Sequence, residues 1–236
     1  MHNGLFKKAR FRTAGDRGLL VEYGDVIDPA VNNKVRSMAI AIEDKPLKGV
    51  IEVIPTYRSL LMIYDPVMID PAELQKMLIS LEARLGDIKI PPPRTVEIPV
   101  CYGGEFGPDI DTVANTNQLT VSDVIKLHCE PEYLIYMVGF TPGFPFLGGL
   151  SDKLHTPRLE TPRTLVPEGS VGIANNQTGI YPIVSPGGWQ LIGRTPVKLF
   201  APERDNPFLY QAGDRIKFKP ISAKAYTRWV EKEAQS

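Results

Sequence analysis

The segments GFTPGFPFLGGL (139–150), PRLETPR (157–163) and VPEGSVGIANNQTGIYPIVSPGGWQLIGRTP (166–196) decide the fold of the second half of this chain. Between Gly139 and Pro196 lie ten of its 20 Gly and eight of its 22 Pro. Pro fixes φ and removes a backbone donor, whereas Gly permits positive φ. Packed this densely, they forbid a long helix and dictate tight turns between short strands. Aromatic residues (Phe140, Phe144, Phe146, Tyr181, Trp189) and cations (Arg158, Arg163, Arg194) are interleaved with the turns. A β-rich core accounts for the aromatics as packing, and a binding cleft accounts for them as lining. The pattern leaves both open.

Around this stretch, YLIYMV (133–138), SVGIA (170–174), GIYPIV (179–184), WQLIG (189–193), VKLF (197–200) and DRIKFKP (214–220) read as strands. Many short strands with regular turns predict a closed barrel or a sandwich, since closure removes exposed edges. DIDTVANTNQL (109–119) and TVSDVIKLHC (120–129) read as short helices, the second capped by Thr120. SAKAYTRWVEKEA (222–234) reads as a helix capped by Ser222. TVEIPV (95–100) is a strand that fits either half of the chain.

The first part has a different rhythm. FRTAGDRGLLVEY places two extended runs around a Gly-Asp-Arg-Gly turn, and VIEVIP (50–55) and SLLMIYD (59–65) add two strands. Asp28-Pro29 and Asp70-Pro71 each offer an N-cap followed by Pro at the first helical position. Val31, Val35, Met38 and Ile42 recur at helical spacing, as do Leu74, Met77, Leu78, Leu81 and Leu85, with Gly86 as the expected C-terminal cap. The order β-β-α-β-β-α packs helices on one face of an antiparallel sheet. The stiff Ile90-Pro91-Pro92-Pro93 run is the expected boundary, giving domains 1–92 and 93–236 in an α+β chain.

The totals exclude several classes. The 236 residues are 43% hydrophobic and 23% charged with a formal net charge of +0, as in a globular protein without an electrostatic footprint for nucleic acid or an anionic membrane. No apolar run is long enough to span a bilayer, and the start carries no apolar leader segment. Two Cys and three His lack metal-ligand spacing, so no structural metal, no bound cofactor and no disulfide are expected, and the thiols suit a cytoplasmic protein. No phosphate-binding loop, dinucleotide fingerprint or Gly-x-Ser-x-Gly elbow occurs.

Several side chains remain as candidates. Arg158 and Arg163 each follow a Pro, which pre-orders a planar guanidinium for carboxylate or phosphate oxygens; surface loop cations look the same. Arg194, in a Gly-Arg-Thr-Pro turn, presents the same choice. His128, near a helix end, serves either the helix dipole or general acid–base chemistry. Gln177 and Thr178 can orient an amide or carboxylate, or merely finish a hairpin tip.

The motifs MVGFTPGFPFLGGL, PRLETPR and VPEGSVGIANNQTGIYPIVSPGGWQLIGRTP, with the earlier EIPVCYGGEFGPD, resemble the family of 5-oxoprolinase B subunits. That family is also named allophanate hydrolase subunit 1 and includes KipI, an inhibitor of a sporulation histidine kinase. The resemblance covers essentially the whole chain. It implies a small N-terminal α/β domain of ferredoxin-like build and a C-terminal cyclophilin-like β-barrel. It further implies ATP-dependent opening of 5-oxo-L-proline to L-glutamate, with ATP as co-substrate of a complex that includes a C-type and an A-type subunit. The alternatives are a KipI-like kinase inhibitor that docks on a histidine kinase, and a carboxyltransferase subunit of urea or allophanate metabolism. On the resemblance, His128 is the expected catalytic acid–base. Arg158, Arg163, Gln177, Thr178, Tyr181 and Arg194 are the expected substrate-binding set, with Tyr133 beside them, in a pocket shared between two different polypeptides. An isolated chain of this kind can pair with itself as a homodimer.

Overall fold

A computed structural model describes residues 4–87 and 92–233. It separates into two compact units, Met1–Pro92 and Pro93–Ser236, each with a hydrophobic core of its own. Ile90 and Pro91 of the Ile90–Pro93 connector lie outside the described residues.

In the first unit, β1 (Leu5–Ala14) and β2 (Gly18–Gly24) form a hairpin, followed by α1 (Pro29–Asp44), β3 (Val50–Pro55), β4 (Ser59–Tyr64) and α2 (Pro71–Glu82). The strands make one antiparallel sheet in the order β1-β2-β4-β3. Both helices start where a carboxylate can accept an orphan amide. Asp28 Oδ1 takes the Ala30 N–H at 2.8 Å and Asp70 Oδ1 takes that of Ala72 at 2.7 Å, each cap contributing about 1 kcal/mol. Alternation along β2 and β4 buries Leu19, Val21, Tyr23, Leu60, Met62 and Tyr64 against the apolar stripes of α1 and α2. Gly86 does not cap α2. The helix ends at Glu82 and tightens through an Arg84 N–H to Leu81 carbonyl bond, so Gly86 falls in a single 3₁₀ turn without positive φ.

The second unit opens with β5 (Thr95–Tyr102), α3 (Ile110–Thr116) and α4 (Val121–Cys129). Thr120 and Asp123 close a reciprocal capping box at the start of α4. Then come β6 (Tyr133–Val138), β7 (Pro145–Gly148), β8 (Arg163–Val166), β9 (Ser170–Ala174), β10 (Gln177–Ile180), β11 (Ser185–Gly187), β12 (Gln190–Arg194), β13 (Arg215–Ile221) and α5 (Ala223–Glu233). Seven of these strands form one sheet in the order β10-β9-β12-β5-β13-β6-β7, and its outer strands β10 and β7 come together, nearly closing a barrel. TVEIPV therefore belongs to this sheet, where β5 runs parallel to β13 and antiparallel to β12. Strands β8 and β11 make a separate ribbon.

Two expected strands are shorter or absent. GIYPIV keeps only Gly179 and Ile180 in β10: the Tyr181 N–H still bonds the Ser170 carbonyl in register, but Pro182 has no N–H to continue the ladder. VKLF forms one isolated bridge, Phe200 to Phe208, inside a local loop stitched by Leu209 N–H to Leu199 O and Ala201 N–H to Pro207 O. The barrel interior is filled by Ile98, Val100, Tyr133, Ile135, Ile173, Ile192 and Phe218.

The loop between β5 and α3 presses on β12 closely enough that a Cβ at Gly107 would run into the Ile192 carbonyl. Backbone cannot yield as a flexible side chain can, so Gly107→Ala is expected to cost about 2–3 kcal/mol in urea unfolding. A change below about 0.5 kcal/mol contradicts that close approach.

Candidate functional site

The Gly/Pro-rich loops converge on an aromatic cluster beside the barrel: Phe144, Tyr181 and Trp189, all nearly buried. Their rings meet edge to face, with centroids 5.7 Å apart for Phe144–Tyr181 and for Phe144–Trp189, and 6.3 Å for Tyr181–Trp189. Phe140 extends the cluster outward, its ring 5.8 Å from that of Phe144 and its own surface 73% exposed. The backbone at Phe140 has φ +68°, and the Thr141 N–H donates to the Gly139 carbonyl at 2.8 Å, a γ-turn of the strained hand. Such strain costs about 1–3 kcal/mol and gathers at ligand clamps.

The strap PRLETPR is fastened over this cluster. The Leu159 N–H donates to the Gly188 carbonyl at 2.8 Å, and Gln190 Nε2 donates to the Pro157 carbonyl at 3.0 Å. Arg163 is held on two sides, donating through Nη2 to Asp109 Oδ1 at 2.7 Å and through Nη1 to the Trp189 carbonyl at 3.3 Å. Arg158 is exposed and has no hydrogen bond or ion pair among the described residues. Burial pushes the Tyr181 phenol up, and the Trp189 amide and the charges of Arg158 and Arg163 offset part of that rise. Both guanidinium charges thus act on one phenol above an apolar floor. Such a constellation holds an anion that also carries an apolar body.

Asp109 escaped the sequence reading, where it served only to begin a helix. Although it occupies the N-cap position of α3, its side chain makes no capping bond. Oδ2 instead accepts the Leu191 N–H at 2.6 Å, and Oδ1 holds Arg163. Gln190 was missed as well. Its Oε1 is buried without a partner among the described residues, an acceptor that a ligand donor or a water could satisfy.

The other expected site residues lie elsewhere. His128 is fully buried in the barrel, with its ring 4.4 Å from Phe218 and 5.6 Å from Tyr133. Its Nε2 is 2.8 Å from Thr178 Oγ1, which donates onward to the Gly172 carbonyl at 3.0 Å, so Nε2 carries the proton. Nδ1 then accepts from the Tyr102 hydroxyl at 2.8 Å, and Tyr102 accepts from the Cys129 thiol at 3.4 Å. Burial holds the His128 pKa down at about 3, so the imidazole is neutral and both nitrogens are occupied. This geometry gives His128 and Thr178 a structural part and leaves neither facing the aromatic cluster. Tyr133 supports the same network, its hydroxyl donating to the His128 carbonyl at 2.9 Å. Gln177 begins β10, two residues beyond Asn175, which bridges Thr156 beside the strap. Arg194 sits at the far end of β12 from Trp189, five residues or roughly 16 Å along the strand, and its Nε donates to the Glu168 carbonyl at 2.9 Å. Among the described residues no group of His, Cys, Asp or Glu is placed to hold a metal ion, and no helix is long and apolar enough to cross a membrane.

Residues 9–210 match the model of the carboxyltransferase domain, subdomain C and D. The B subunit of the 5-oxoprolinase of Bacillus subtilis (strain 168) is 47% identical over 229 residues, covering 92% of this chain and 95% of that protein. The chain belongs to the family of 5-oxoprolinase B subunits. Among solved structures, TTHA0988 superposes with a TM-score of 0.78 at 37% identity, over 88% of this 5-oxoprolinase-family chain and 40% of that longer one. The urea amidolyase of Lachancea kluyveri is 26% identical over 97% of the chain, which spans only 14% of that protein.

Two outcomes follow from this geometry. Asp109→Asn keeps an acceptor for Leu191 but loses the charge that holds Arg163, and should lower stability by about 2 kcal/mol in urea unfolding. A neutral effect removes Asp109 as the anchor. For His128 the folded pKa lies below the unfolded value of 6.5, so its contribution is complete above about pH 6.5 and is lost as pH falls toward about 3. Between pH 6.5 and 5 this histidine should reduce unfolding free energy by up to about 1.4 kcal/mol per pH unit. His128→Gln should flatten that slope, and an unchanged slope contradicts the buried neutral imidazole.

Proposed function

We propose that this chain is the B subunit of an ATP-dependent 5-oxoprolinase, opening 5-oxo-L-proline to L-glutamate together with a C-type and an A-type subunit. The observation that carries this reading is the 47% identity to a 5-oxoprolinase B subunit, extending over 95% of that relative. The chemistry of the aromatic rim agrees with it. The substrate is a small ring with one carboxylate, which calls for cations beside an apolar floor. Arg158 and Arg163 supply the cations, and Phe144, Tyr181 and Trp189 supply the floor.

In this reading Arg158, unpaired and exposed, closes on the carboxylate, while Arg163, held by Asp109, fixes its direction. Tyr181 and Gln177 stand as donors toward the ring amide. A lactam is a stable amide. Transfer of the ATP γ-phosphoryl to its carbonyl oxygen releases ADP and makes the ring carbon electrophilic. Water then adds there, the ring C–N bond breaks as the nitrogen takes a proton, and a second water releases phosphate from the acyl phosphate to leave L-glutamate. The anionic intermediate is then stabilised by preorganised cations. His128 is sealed in the core, so the proton is moved by a group of the partner subunit or by water. The Arg158 face is open, and a second polypeptide completes the site.

The test is glutamate formation from 5-oxoproline and ATP by the chain reconstituted with its C-type and A-type partners. Arg158→Ala and Arg163→Ala should each lower kcat/KM about tenfold or more. Wild-type kinetics in both variants would remove them from the mechanism. The likeness to a urea amidolyase favours a second reading, carboxyl transfer to a urea-like amide. The same mixture would then make no glutamate and would need a biotin-bearing partner. Inhibition of a histidine kinase with no glutamate formed would instead identify a KipI-like regulator.

A further inference from the structure

Arg194, separated from the first site by the length of β12, has a cavity of its own. The turn at 194–198 and one face of α5 border an open cavity of about 330 Å³. That volume sits at the lower end of small-molecule sites and suits a compound of amino-acid size. Its lining holds two cations, Arg194 and Lys198, two carboxylates, Glu168 and Glu233, and the phenol of Tyr226 over apolar Val197 and Val230.

The cations are poised rather than spent. Arg194 Nε is fixed on the Glu168 carbonyl, and its two terminal nitrogens have no partner among the described residues. A guanidinium anchored through Nε presents that terminal pair as a fork for one carboxylate. Lys198 makes only a loose, exposed contact with Glu203, 3.8 Å between charged atoms. Tyr226 is wedged beside Phe106, ring centroids 4.6 Å apart. Burial raises its phenol first of all, with the charge of Arg194 acting against that rise and that of Glu168 adding to it. Arg194 and Glu168 therefore both lie close to the same hydroxyl.

The balance of charge selects the ligand. A simple anion would meet Glu168 and Glu233 as well as the cations, and a simple cation would meet Arg194 and Lys198. A compound carrying an ammonium and a carboxylate on one carbon meets both signs of charge in the lining. We propose that the cavity between the 194–198 turn and α5 binds a free α-amino acid, its carboxylate on Arg194 and Lys198 and its ammonium on Glu168. Val197 and Val230 take the side-chain methylenes. The site stands independently of the oxoprolinase reading.

The test titrates the purified full chain with L-glutamate and with L-leucine, followed by calorimetry. Matched titrations use glutarate and 4-methylpentanoate, which lack the ammonium. At least one amino acid should bind saturably at one site per chain, with its deaminated analogue about tenfold or more weaker. Arg194→Met and the surface change Lys198→Met should each weaken binding about tenfold, whereas Arg163→Ala, in the other site, should leave it unchanged. The proposal is overturned if neither amino acid binds at millimolar concentration, or if the analogues bind equally well. Loss of binding in Arg163→Ala with retention in Lys198→Met would overturn it too.

Discussion

A single carboxylate organises the candidate site of the second unit. Asp109 is nearly buried, and a charge in that position is costly unless it is fully hydrogen-bonded. Its two oxygens meet that demand with the Leu191 amide and the Arg163 guanidinium. In doing so it joins three pieces of chain distant in sequence: the loop after β5, the start of β12 and the start of β8. The Asp109 N–H also donates to the Leu191 carbonyl, so this one residue brackets Leu191 from both sides. The ladder of β12 shifts register between Leu191 and Gly193, where the loop docks. Because Arg163 is oriented by this arrangement, the cationic rim over the aromatic cluster inherits its direction from a residue that touches no ligand.

What the sequence disclosed depended on how local the physics was. Asp28, Asp70 and Thr120 announced their helices because a cap and its amide lie two or three residues apart. YLIYMV and SVGIA coincide with β6 and β9, whose residues sit between clear turn signals. VKLF had the composition of a strand but found no sheet neighbour, and composition says nothing about neighbours. Asp109 and Gln190 were illegible for a similar reason. The partners of Asp109 lie 54 and 82 residues away, and no spacing rule reaches that far. His128 stood in the sequence as either a helix-end group or an acid–base, and the choice between them rested on Tyr102 and Thr178, 26 and 50 residues distant.

The expected set of binding residues divides by location as much as by chemistry. Arg158, Arg163 and Tyr181 share one rim, Thr178 and His128 lie behind it in the barrel, and Arg194 looks onto a separate cavity. Similar Gly/Pro-rich surroundings made the arginines, Thr178 and Tyr181 look alike in sequence, whereas His128 stood at a helix end. The turns are alike because each must reverse the chain in a few residues, whatever side chain it happens to display.

The parallel pairing of β5 with β13 sets an order of events during synthesis. Residues 95–102 have no neighbour on that side until residues 215–221 have been made, more than a hundred peptide bonds later. The sheet of the first unit, by contrast, is built from strands that all precede residue 65. On a ribosome, that unit can close while the barrel is still open, with β5 offering an unsatisfied edge to the chaperones that meet it. A chain halted after residue 92 but before residue 215 would carry a finished first unit and a second that holds together poorly.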